Sequence, residues 1–105
     1  MKIIGNDFMK NREQRIFKQL ADFARQYSVD KIVLFGSRAR GTNRPKSDID
    51  IAVYGCENFR DFYFDINEKV ETLLTFDIVN MDEENISKDL LSEIKRDGVM
   101  IYEKV

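Results

Sequence analysis

The chain has 105 residues, 43% of them hydrophobic and 34% charged, with a formal net charge of −2. That suits one globular domain over residues 1–105, large enough to bury roughly 60–70% of the unfolded chain's surface. No His is present and Cys56 is the single cysteine, which excludes Ser-His-Asp and Cys-His catalysis, Cys/His zinc sites and an internal disulfide.

No apolar run approaches the roughly 20 residues of a membrane span, so no membrane association is expected. Met1 to Asp7 turns polar too early for a signal peptide. A lone cysteine then points to a reducing cytoplasm. The acidic balance argues against general nucleic-acid binding. Carboxylates, hydroxyls, Lys and Arg carry what chemistry remains, and carboxylates prefer hard cations such as Mg²⁺.

Ile16, Leu20, Phe23, Ala24 and Tyr27 recur along one face of a first helix, with Asn6 or Asp7 placed to cap its start. Lys31 to Phe35 is a short apolar run that predicts a buried strand. Gly36 to Gly41 follows as a turn or one helical turn, and the polar stretch to Ser47, with the only proline at Pro45, predicts a loop. Asp48 to Tyr54 alternates with period two, a second strand ended by Gly55. Phe59, Phe62, Ile66, Val70 and Leu73 mark a second amphipathic helix capped by Asn58. Tyr63 and Phe64 fall beside its stripe, at the core or its rim.

Thr75 to Val79 predicts a third strand. Ile86, Leu90, Leu91 and Ile94 predict a last helix, its N-terminus favoured by Glu83 and Glu84 and its end set at Asp97-Gly98. Val99 to Tyr102 closes the chain as a fourth strand. Cys56 reads as a small buried filler. The fold class is α/β (α+β): a small mixed sheet of about four strands with helices packed on it.

Three features converge on chemistry. Gly36-Ser37 directly follows a strand, where a glycine lets backbone N–H groups approach an anion and a following helical turn aims its free N–H groups at it. Asp48-x-Asp50 puts two carboxylates on one face of a strand, where they repel unless a cation sits between them. Asp77 is an acid inside an otherwise apolar strand, costly to bury without a partner. Placed beside the Asp48–Asp50 strand, it completes a cluster of acids suited to two metal ions. Each feature alone is common in ordinary turns and solvated strands; together they are specific. From Lys31 to Ser47 there is no acid, while Lys31, Arg38, Arg40, Arg44 and Lys46 are present. Metal on the acids and excess phosphate charge on Arg38 and Arg40 is the arrangement a triphosphate needs.

The run Leu34-Phe35-Gly36-Ser37-Arg38-Ala39-Arg40-Gly41, then Ser47-Asp48-Ile49-Asp50-Ile51, then Asp77 on a later strand, resembles the minimal nucleotidyltransferases of the polymerase β-like superfamily. The resemblance implies that fold over nearly the whole chain. It implies a Mg²⁺-dependent nucleotidyltransferase, with two ions and ATP as donor of AMP to a hydroxyl. Gly36 and Ser37 then hold the nucleotide phosphates, Asp48 and Asp50 hold Mg²⁺, and Asp77 assists the acceptor. Larger relatives carry a further helical domain that helps hold the acceptor. Here the acceptor surface is expected from a homodimer or another chain. Minimal relatives are paired with small helical HEPN-type or substrate-binding proteins encoded nearby, and some act as antitoxins that transfer AMP to a tyrosine of the toxin.

Two other readings compete. One is nucleotide transfer to a small molecule, with a partner chain supplying the acceptor site. The other is a non-catalytic module that neutralises its partner by binding. A set of three acids carries a cost and no benefit to simple docking. A glycosyltransferase reading of Asp-x-Asp leaves Gly36-Ser37 without a role.

Overall fold

A computed structural model describes residues 2–3 and 11–105, with side chains described from Glu13 onward. In chain order the elements are β1 (Lys2–Ile3), α1 (Asn11–Gln26), β2 (Lys31–Phe35), α2 (Gly36–Arg40), β3 (Ile49–Tyr54), α3 (Phe59–Lys69), β4 (Phe76–Asn80), α4 (Lys88–Asp97) and β5 (Val99–Glu103). The sheet runs β1-β5-β2-β3-β4. β2 is antiparallel to both β3 and β5, while β3–β4 and β1–β5 are parallel. The four expected strands are all present, and β1 adds a two-residue edge strand.

Alternation along the central strands sorts the core. Ile32, Leu34, Ile49, Ile51 and Val53 face one side, where Ile16, Phe17 and Leu20 of α1 and Phe62 and Ile66 of α3 cover them. Val33, Phe35 and Ala52 face the other side, against Ile94 of α4. This two-sided cover explains why Ile32 to Phe35 is an unbroken apolar run. Period two in β3 carries Asp50 onto the α4 face, paired with Phe35. The same rule puts Asp77 there, since β4 pairs it with Asp50.

Some expectations need correction. α3 ends at Lys69, and Leu73 is fully exposed instead of extending its stripe. Past Val70 the Thr72 hydroxyl accepts a hydrogen bond from the Leu74 N–H, a local bond that competes with further helix. Asn58 stands at the N-cap of α3, but its amide donates to Asp61 and its side chain caps no backbone N–H. Glu83 and Glu84 precede α4, which Ser87 caps by accepting from the Leu90 N–H, with Asp89 as the acid of its first turn. Asn6 and Asp7 lie outside the described residues. Gly98 ends α4 as expected, and Cys56 is buried.

Candidate active site

The acids and the glycine turn meet where β2 ends and β3 and β4 begin. Gly36 has φ +75°, a left-handed conformation that side chains rarely adopt. It also lies under the Asp50 carboxylate: a Cβ on Gly36 would fall 2.1 Å from Asp50 Oδ2. Fourteen residues apart in sequence, the glycine turn and the second acid are thus in direct contact. α2 starts at this glycine, and no side chain caps its N-terminus. Ser37 occupies its first turn, half-buried.

Asp50 is the most perturbed acid of the cluster. Its pKa is pushed up to about 6, first by burial, then by the charges of Asp77, Asp48 and Glu93, with Arg40 pulling the other way. Burial is the larger cause and the neighbouring carboxylates add to it. Asp48 sits just before β3 and accepts a hydrogen bond from the Thr75 hydroxyl, while the Ile49 N–H donates to the Thr75 carbonyl. Asp77 is exposed on β4, the edge strand of this side.

Hard oxygen donors suit Mg²⁺. Among the described residues no three acidic, Cys or His side chains close around one point as a ready-made metal cage. Asp48, Asp50 and Asp77, expected as one metal-binding set, are therefore neighbours on two strand ends and not a closed three-carboxylate cage.

The two arginines part company. Arg40 remains at the site, half-exposed, its guanidinium 3.5 Å from Glu93 and from Asp97 of α4. Arg38, expected to bind phosphate, turns inward instead. Its side chain is 1% exposed. Nη1 donates to Glu13 of α1 at 3.1 Å, Nε and Nη2 donate to the Ser47 carbonyl, and Nη2 also donates to the Pro45 carbonyl. A buried cation requires such partners, and here the loop carbonyls and Glu13 of α1 supply them.

Sequence reasoning did not single out Thr75, Glu13 or Glu93 for the site. Thr75 was visible only as the first residue of a strand, and the other two pair across distances no periodicity reports. Beside Thr75 opens a groove of about 660 Å³, lined by Pro45, Lys46, Leu73 and Leu74 among others.

The site thus sets a left-handed glycine turn against Asp50, on a mixed sheet with helices on both faces. The family model for polymerase beta nucleotidyltransferases matches residues 18–105, and the chain belongs to that family. No curated protein matches the chain in sequence. Two solved structures share its fold. One is a toxin-antitoxin with AMP-PNP, 23% identical with a TM-score of 0.62, covering 84% of this chain and 73% of that one. The other is a mutant of the toxin-antitoxin MntA-HpeT, 21% identical, with the same TM-score and coverage. No helix among the described residues is long and apolar enough to cross a membrane.

Proposed function

We propose that the chain transfers a nucleoside monophosphate, AMP from ATP, to a hydroxyl of a partner protein, and that it acts as an antitoxin. The observation that carries the chemistry is the contact of Gly36 with Asp50, itself in register with Asp77. It supports reading the Gly36 turn as the phosphate site and Asp50, with its neighbours, as the metal site. The partner and the nucleotide are supported by the similar structures, one a toxin-antitoxin with AMP-PNP.

In this reading the Gly36-Ser37 turn and the uncapped N-terminus of α2 bind the β- and γ-phosphates through N–H groups and the Ser37 hydroxyl. Arg40 offsets phosphate charge. Asp48 and Asp50 hold Mg²⁺, in one or two ions, which when bound neutralises charge on the phosphates and eases deprotonation of the acceptor. The acceptor oxygen bonds to the α-phosphorus as the bond to pyrophosphate breaks, and the hydroxyl proton passes to Asp77. Pyrophosphate departs on the Gly36 side. The acceptor enters away from the leaving group, and the groove beside Thr75, with Leu73, Leu74 and Pro45 as an apolar wall, is the surface proposed to receive it. A tyrosine of a small helical HEPN-type partner has the hydroxyl and the apolar ring for that wall. A homodimer is the other source of acceptor surface. The reaction belongs to the cytoplasm.

The test is intact mass of the protein encoded next door after incubation with this chain, ATP and Mg²⁺. A gain of AMP units, abolished in Asp48→Asn/Asp50→Asn, is the expected result. Stable binding without mass change moves the weight to neutralisation by occlusion, or to a small-molecule acceptor in a shared site.

A further inference from the structure

We infer that Arg38 is the positioning residue of this site: it sets the backbone that presents Asp48. The inference rests on the reading of Asp48 as a metal ligand. Between α2 and β3 the chain runs from Gly41 to Asp48 without helix or strand. A segment of that kind does not fix the direction of a carboxylate at its end. Arg38 supplies what the segment lacks. Its guanidinium reaches from the helix that begins at the phosphate turn and donates to the carbonyls of Pro45 and Ser47, at 3.1 and 2.8 Å for Nη2. Ser47 is the residue directly before Asp48.

The segment's own bonds extend this anchoring. The Ser47 N–H donates to the Arg44 carbonyl, the Ser47 hydroxyl accepts from the Arg44 N–H, and the Thr42 N–H donates to the Ser37 carbonyl. On its far side Asp48 is held by the Thr75 hydroxyl. The carboxylate is thus fixed between a clamp on the preceding carbonyl and a donor on its own oxygen. Glu13 of α1 pairs with the buried guanidinium at 3.1 Å. One side chain thereby links the phosphate turn, the first helix and the first acid.

An arginine is required by the geometry. Three directed donations to two carbonyls match a planar fork, whereas the ammonium of lysine is a point charge on a flexible stem. A purely structural role makes a different prediction. If Arg38 and Glu13 served only to hold the fold, replacing both with apolar residues would cost nothing at the site, since buried pairs are often replaceable in this way.

The experiment measures binding of Mn²⁺, a paramagnetic probe, by electron spin resonance with and without a non-hydrolysable ATP analogue. The full chain is compared with Arg38→Lys, with the double variant Glu13→Leu/Arg38→Met, and with Asp48→Asn as the reference for a lost ligand. Thermal melting and circular dichroism establish that each is folded. The double variant keeps the test open if Arg38→Lys does not fold. Both Arg38 variants are expected to bind Mn²⁺ about tenfold more weakly, approaching Asp48→Asn, as second-layer partners of metal ligands do. A folded double variant that binds within about twofold of the original chain overturns the inference and leaves the metal site standing. Failure of the unaltered chain to bind Mn²⁺, with or without nucleotide, overturns the metal-site reading and this inference with it.

Discussion

The antiparallel pair β2–β3 ends in a glycine turn at each end, and the two turns are built alike up to a point. Gly36 follows β2 and Gly55 follows β3, with φ of +75° and +67°. Each lies under an aspartate of the neighbouring strand's start, Asp50 over Gly36 and Asp30 over Gly55, and a Cβ at either would fall 2.1 Å from a carboxylate oxygen. The difference lies in what the backbone N–H groups face. At the second turn, the N–H groups of Gly55 and Cys56 donate to the two oxygens of Asp82, at 3.0 and 3.1 Å. The chain has filled that anion-binding nest with its own carboxylate. At the first turn no side chain caps α2, and burial first, then the charges of nearby carboxylates, raise the pKa of Asp50 to about 6. One turn is satisfied internally. The other leaves the N-terminus of α2 without a side-chain acceptor and holds a half-buried carboxylate beside other acids; phosphate and metal are proposed to bind there.

The largest effect that tests this contrast is expected from Asp50→Asn. Nucleotidyl transfer falls by about 10³-fold or more, the loss typical of a group that acts on transition-state charge, read as the rate of mass gain in the partner. Stability of the metal-free protein moves the other way at neutral pH. The sign follows from linkage. The folded-state pKa of Asp50 lies above its ordinary value of 3.8, so the native state holds this proton more tightly than the unfolded chain does. The contribution is fully present below about pH 4 and is lost as pH rises through about 6. The variant, which cannot ionise there, is expected to melt higher than the original chain above pH 6 and level with it near pH 4. Asp48, Asp77 and Glu93 supply the repulsion and Arg40 opposes it. Equal melting temperatures across that range would show that the acids are not coupled as the geometry implies.

Next in size is the pair Gly36→Ala and Gly55→Ala. Both meet the same two obstacles, a positive φ and an aspartate in the way, and each is expected to lose about 1–3 kcal/mol of stability from backbone strain. Only Gly36→Ala displaces Asp50, and a misplacement of about 1 Å at a reacting centre costs about 100-fold in rate. Gly55→Ala is expected to leave Mn²⁺ binding and the rate per folded molecule unchanged. Equal catalytic losses in the two would erase the distinction between the turns.

The half of the site that was legible in the sequence is the half written in local rules. Gly36 stands directly after an apolar run, and period two places Asp50 on one face of its strand with Asp48 two residues earlier, though the strand itself begins only at Ile49. Asp77 was visible because an acid interrupts Phe76-x-Ile78-Val79. Its neighbour across the sheet was only inferable, since strand order is a tertiary choice. The half that was not legible depends on partners far along the chain. Arg38 and Arg40 look alike within one basic stretch. Their fates are decided by Glu13, twenty-five residues upstream of Arg38, and by Glu93 and Asp97 on α4. Leu73 continues a helical spacing that the chain abandons at Val70, because the Thr72 hydroxyl offers a competing local bond.

That displaced leucine yields the smallest and most selective effect. Leu73 is fully exposed on the rim of the groove beside Thr75, so Leu73→Ser removes no core contact and is expected to change stability by less than about 0.5 kcal/mol. Mn²⁺ and nucleotide binding should also stay as they are, because the substitution alters neither the glycine turn nor any of the three acids. A change confined to the acceptor step, seen as weaker partner binding or slower mass gain at saturating ATP, would locate the acceptor at this groove. An unchanged acceptor step would send it elsewhere on the surface, and the exposed ring pair of Tyr63 and Phe64 on α3, packed edge to face at 5.9 Å, is the next apolar surface to alter. The outcome separates an acceptor that reaches the α-phosphorus along β4 from one that is only tethered near it. In the first case the open edge of the sheet is itself half of the active site.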